Sequence, residues 1–93
     1  MFVVVYDITD DRLRERVALT LMEYGFSRVQ RSVFVGDVSR NVAEMLAIEL
    51  RRLVEGSPCD LRIIPVCARC YMGVIIVARY GEPSEAEREV VVT

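Results

Sequence analysis

Histidine is absent from this chain, which removes histidine-based general acid–base catalysis, a Ser-His-Asp triad and the mixed Cys/His sites that commonly hold zinc. Lysine is absent too, so all 12 cations are arginines. Arginine's planar fork suits phosphate and carboxylate, although a compositional bias of the genome accounts for missing lysine just as simply. The five glycines are dispersed, and none of the common glycine-rich phosphate loops is present. No apolar run approaches the roughly 18–20 residues that cross a bilayer. The opening six residues lead straight into acidic ones, without the basic start and cleavage site of a secretory signal. A cytoplasmic protein with no membrane partner is expected.

What is present fits one small folded unit. A chain of 93 residues, 53% of them apolar, has material for a single core and is too apolar for disorder. Its net charge of -2 argues against a protein that coats nucleic acid at large. The charge is unevenly spread, however. Arg12, Arg14, Arg16, Arg28 and Arg31 face only Glu15 and Glu23 in that part of the chain, whereas Glu82, Glu85, Glu87 and Glu89 near its end face only Arg88. A local basic patch can therefore exist within an acidic average.

Residues 1–7 read as a strand apolar on both faces, with Phe2, Val4 and Tyr6 on one side and Met1, Val3 and Val5 on the other. A cap at Thr9-Asp10-Asp11 starts a helix whose stripe is Leu13, Val17, Leu21 and Tyr24, and Gly25 stops it. Residues 26–35 read as extended, with a tight turn at Gln30 to Ser32 dividing two short antiparallel strands. Asn41 and Glu44 form a capping box for a second helix carrying Val42, Leu46, Leu50 and Leu53, which ends at Gly56-Ser57-Pro58. Residues 59–66 give another strand and residues 73–80 one more.

The order is β-α-β-β-α-β with a strand to spare, which predicts an α+β, ferredoxin-like sandwich over residues 1–81. Residues 82–93 form an acidic tail that includes a short strand contacting the partner subunit. Two helices cover only one side of such a sheet, so the other apolar side predicts a sheet-on-sheet homodimer. The surplus strand near residues 73–80 would then pair with the partner's sheet edge.

Asp7 ends the first strand on the face of Val3 and Val5. It is either a turn-starting carboxylate or a hard-cation ligand, and a two-fold axis would add a second copy. Asp10 and Asp11 sit at the positive end of the first helix. Arg12 and Arg16 share one flank of that helix and Arg14 lies on the other. They are either solvated flanks or, with Arg28 and Arg31, a phosphate-binding border around Asp7. Phe34 is a core residue or a base-stacking platform. Cys67 and Cys70 have zinc-knuckle and redox spacing, with Cys59 as a third thiol and no fourth ligand in the chain. Shared zinc, a reversible disulfide and two reduced thiols at a turn all remain open.

Taken together, Tyr6-Asp7-Ile8-Thr9-Asp10-Asp11, Arg14, Arg16, Tyr24-Gly25, the run from Arg28 to Gly36 and Arg62-Ile63-Ile64-Pro65-Val66-Cys67 resemble the small dimeric CRISPR-associated adaptation protein, partner of the spacer integrase. The resemblance covers almost the whole chain. It implies a ferredoxin-like homodimer with a C-terminal strand exchanged onto the partner's sheet, and one of two functions. The first is a metal-dependent endonuclease, with Mg²⁺ or Mn²⁺, acting on single-stranded RNA or double-stranded DNA in antiviral spacer acquisition. The second is a non-catalytic scaffold that holds protospacer DNA. Asp7 takes the place of the family's catalytic, metal-binding aspartate. Tyr6, Arg14, Arg16, Arg28 and Phe34 take places linked to activity or nucleic-acid contact, and Arg31 joins them as part of the basic border. A dimeric module that binds a small ligand on the same sheet is the remaining class.

Overall fold

The computed structural model describes residues 1–79. Strand β1, Phe2–Ile8, alternates strictly, with Phe2, Val4, Tyr6 and Ile8 buried and Val3 and Val5 half-buried. This parity assigns the two faces: the buried set lies under the helices, and Val3, Val5 and Asp7 lie on the open side. Helix α1, Asp11–Glu23, begins where the Asp10 carboxylate accepts the Leu13 N–H at 2.9 Å, satisfying one of the donors that a helix start leaves orphaned. It ends at Gly25, whose φ of +91° is open to glycine at no steric cost.

Strands β2, Ser27–Gln30, and β3, Val33–Gly36, form the hairpin the polar centre predicted, with Arg31 and Ser32 at its turn and a register shift between Arg28 and Gln30. Helix α2 covers Arg40–Val54 and starts two residues earlier than expected. Ser39, not Asn41, is the cap; its hydroxyl accepts the Val42 N–H at 3.2 Å. Glu44 is instead paired with Arg40 one turn back, at 3.3 Å. Strand β4, Cys59–Pro65, follows.

The sheet order is β2-β3-β1-β4, antiparallel throughout. With both helices on one face, this is the ferredoxin-like arrangement. Phe34, Leu21, Leu46, Leu50, Val4 and Val17 are the largest fully buried side chains. Each stabilises the fold by roughly 1.5–3 kcal/mol relative to an exposed position. Phe26 seals one edge of this core against Gly36, where an added Cβ would lie 2.7 Å from its ring.

The far end of the described chain departs from expectation. A five-residue helix, α3 at Ala68–Met72, follows β4, and residues 73–79 form no strand. The β-branched run there has strand composition but, within those residues, no ladder partner. Tyr80, the acidic tail and the proposed partner-contacting strand lie outside the described residues. Among the described residues, no helix is long and apolar enough to cross a membrane.

Candidate nucleic-acid and metal site

Asp7 is exposed at the carboxyl end of β1, the strand flanked on both sides by others. Its register partner on β4 is Asp60. Facing carboxylates on neighbouring strands repel, and the structure offsets this with Arg62, whose guanidinium donates to both Asp60 oxygens at 2.9 and 3.1 Å. That hydrogen-bonded fork holds the Asp60 carboxyl below its usual range. Asp60 and Arg62 were not among the sequence candidates. The Asp-x-Arg spacing places both on one strand face, but their position beside Asp7 depends on a register between strands more than 50 residues apart.

On the other side of β1 lies the β2–β3 turn. The Tyr6 N–H donates to the Ser32 carbonyl at 3.1 Å, which brings the exposed Arg31 to the same end of the sheet as Asp7. The open face below is apolar: Val3 stands across from Val35 and Ile64, and Val5 across from Val33 and Arg62.

The other arginines divide by what they touch. Arg14 is tied down: it donates to the Ile8 carbonyl at 2.9 Å and pairs with Asp11. It thus braces the loop that follows Asp7. Arg28 lies 5.0 Å from the centre of the Phe34 ring, a cation–π placement that fastens the edge strand to the core. Arg16 and Arg31 are exposed and make no ion pair among the described residues.

Tyr6 and Phe34 are buried, at 6% and 0% exposure, with their rings stacked 6.2 Å apart. As placed, neither ring can stack on a base. They lie behind the sheet, under the helices, and shape the strand ends that carry Asp7 and Arg28. The Tyr6 hydroxyl is buried with no hydrogen-bond partner.

The structure therefore gathers Asp7, Asp60, Arg62 and Arg31 at one end of the open face, braces them with Arg14, and leaves Arg16 on the outside of α1. Carboxylates supply hard oxygen donors of the kind Mg²⁺ prefers. Among the described residues of one chain, no three His, Cys, Asp or Glu side chains come together as a metal cluster.

Comparison with known proteins finds relatives over most of the chain. The family model described as CRISPR associated protein Cas2 matches residues 1–74, which span every element from β1 to α3. A relative in Pyrobaculum aerophilum named CRISPR-associated endoribonuclease Cas2 2 is 41% identical over 91 residues, 97% of each chain. One in Archaeoglobus fulgidus, CRISPR-associated endoribonuclease Cas2 1, is 38% identical over 87% of this chain and 86% of its own. A CRISPR-associated endonuclease Cas1/endonuclease Cas2 fusion from Thermoproteus tenax is 42% identical over 67 residues, 72% of this chain and 25% of the fusion. Among solved structures, a hypothetical protein from Thermus thermophilus superposes with a TM-score of 0.66 at 39% identity, over 72% of this chain and 80% of that one. With the sheet order, the strand-ending aspartate and the hairpin arginines all inside the matched region, the chain belongs to the CRISPR-associated Cas2 family.

Proposed function

We propose that this protein is a cytoplasmic, metal-dependent endonuclease of CRISPR spacer acquisition, a homodimer that hydrolyses phosphodiester bonds in single-stranded RNA and, as a second substrate, double-stranded DNA. The observation that carries this reading is the exposed Asp7 carboxylate at the end of an apolar open sheet face. A second copy packed on that face would cover Val3, Val5, Val33 and Val35 and double the carboxylates available. The groove between α2 and the β4 edge, lined by Leu50, Val54, Leu61 and Ile63, offers a place for a strand of the partner. The names of the relatives favour RNA as the first substrate.

The donor set fits Mg²⁺ or Mn²⁺ only when shared between two chains, with Asp7 from each as the ligand. Bound there, the cation would supply Lewis-acid polarisation of the scissile phosphate. The chain's own residues do the rest. Arg16 and Arg31 neutralise backbone phosphates. Arg14 keeps the loop after Asp7 fixed, and Arg62 balances the Asp60 charge so that the facing Asp7 carboxylate stays available. Tyr6, Phe34 and Arg28 position the strands from behind.

The test is Asp7→Asn, which keeps size and removes one charge per chain. Cleavage of single-stranded RNA in Mg²⁺ or Mn²⁺ should fall by at least about a hundredfold, while binding in EDTA and the dimer mass by light scattering persist. Wild-type cleavage rates in the purified variant would remove Asp7 from catalysis, and a monomeric mass at micromolar concentration would remove the shared site. The fusion relative, which joins a Cas1 and a Cas2 in one chain, supports a partnership with the integrase, and the second reading is a non-catalytic scaffold holding protospacer DNA there. Wild-type protein that cleaves nothing but forms a stable complex with integrase and DNA would select it.

A further inference from the structure

The two exposed cysteines of α3 are not used by any of the chemistry above. Cys67 is the N-cap of that helix, with φ -78° and ψ 147°, and its sulfur accepts the Cys70 N–H at 3.2 Å. Both thiols are free and exposed. Side chains three apart on a helical turn have Cβ atoms about 5–6 Å apart. A disulfide needs about 3.8 Å, and Cys67, being outside the helical φ/ψ region, can close that gap without breaking a helical residue. Cys59 cannot compete: it begins β4, and seven residues, six of them in the strand at about 3.3 Å each, separate it from Cys67.

The thiols are also differentiated. The Cys70 thiol donates toward the Cys67 sulfur and, with the Cys70 N–H, holds Cys67 below the ordinary thiol range, while Cys70 is pushed above it. An attacking and a resolving cysteine differ in this way. Finally, α3 buries no residue and is five residues long, so neither packing nor length stabilises it. A covalent bridge across its first turn would be the strongest constraint on it.

We infer that Cys67 and Cys70 form a reversible dithiol–disulfide pair whose redox state fixes or frees α3, and with it the direction in which the chain leaves β4. The co-reactant is a small-molecule disulfide. The Cys67 thiolate attacks one of its sulfurs and expels one thiolate, giving a mixed disulfide. Cys70 loses its proton and attacks the Cys67 sulfur, expelling the second thiolate. The chain loses two electrons and two protons, and the disulfide is reduced to two thiols.

The experiment takes the full chain, reduced and desalted, through glutathione buffers of increasing oxidised fraction. Each sample is acid-quenched, alkylated and read by intact mass and peptide mapping. Two of the three thiols should be lost together as a Cys67–Cys70 bridge, with the mass of two hydrogens, and return on reduction, while Cys59 stays alkylatable. Cys67→Ser and Cys70→Ser should each abolish the bridge. Amide exchange at Tyr71 and Gly73, whose N–H groups bond to the Cys67 carbonyl and the Arg69 and Cys70 carbonyls, should slow in the oxidised form. Three alkylatable thiols in the most oxidising buffer, a bridge containing Cys59, or disulfide-linked pairs of chains would overturn the pairing. A bridge that leaves amide exchange unchanged would overturn the coupling to α3.

Discussion

Replacing Tyr6 with phenylalanine takes one oxygen atom out of the core and leaves the ring, its rotamer and its stack on Phe34 in place. The side chain is 6% exposed and its hydroxyl has no hydrogen-bond partner. A buried polar group left unpaired costs about 1–3 kcal/mol, which the substitution removes. Against this stands a void the size of one heavy atom, at a cost of up to about 1 kcal/mol. The net expectation is a gain of roughly 1 kcal/mol, which for a domain of this size raises Tm by about 4–8 °C. Tyr6→Ala supplies the contrast: it also deletes the ring and should cost about 3–5 kcal/mol. Thermal and urea melts by circular dichroism, at one fixed protomer concentration because dimerisation would shift the apparent stability, read both changes. A Tyr6→Phe protein less stable than wild type by about 1 kcal/mol or more would refute the reasoning, since the hydroxyl would then have a partner in solution. A more stable Tyr6→Phe protein with weakened cleavage would instead identify the hydroxyl as a group kept for function at the expense of stability.

Two further outcomes follow from the packing and the charges. Gly36→Ala sets a methyl 2.7 Å from the Phe26 ring and should cost about 1–3 kcal/mol, with recovery in the double variant Gly36→Ala/Phe26→Leu. Asp60 titrates low because of Arg62; a carboxyl depressed in the folded state contributes stability that is present above its unfolded pKa and is lost as pH falls through the folded pKa. Arg62→Ala should therefore raise the Asp60 midpoint in an NMR titration toward the ordinary aspartate range, and an unmoved midpoint would dissolve the pair.

Much of the fold was written in periodicities. The alternation of β1, the polar break at Arg31 and Ser32, and the stripe of Leu13, Val17 and Leu21 each follow from local spacing, and all three occur where expected. The placement of Asp7 on the open face was also readable, because parity ties it to Val3 and Val5. What was not readable depends on distant partners. The Asp7–Asp60 register needs β1 and β4 paired, and the choice between core residue and base-stacking platform for Phe34, which the structure settles as core, needs the helices placed over it. The strand expected over residues 73–80 had the right composition, and α3 had no stripe to announce it, since none of its residues is buried.

The register shift between Arg28 and Gln30 has a consequence for assembly. It bends and twists the outer strand, so that β2 presents a short, kinked margin rather than a straight row of donors and acceptors. At the opposite margin β4 runs seven residues. Growth of the sheet by strand addition thus has one hospitable end per chain, and whatever strand occupies β4 finds no matching site on β2 from which to continue. A fold with two equivalent margins could polymerise head to tail; this one is built to terminate.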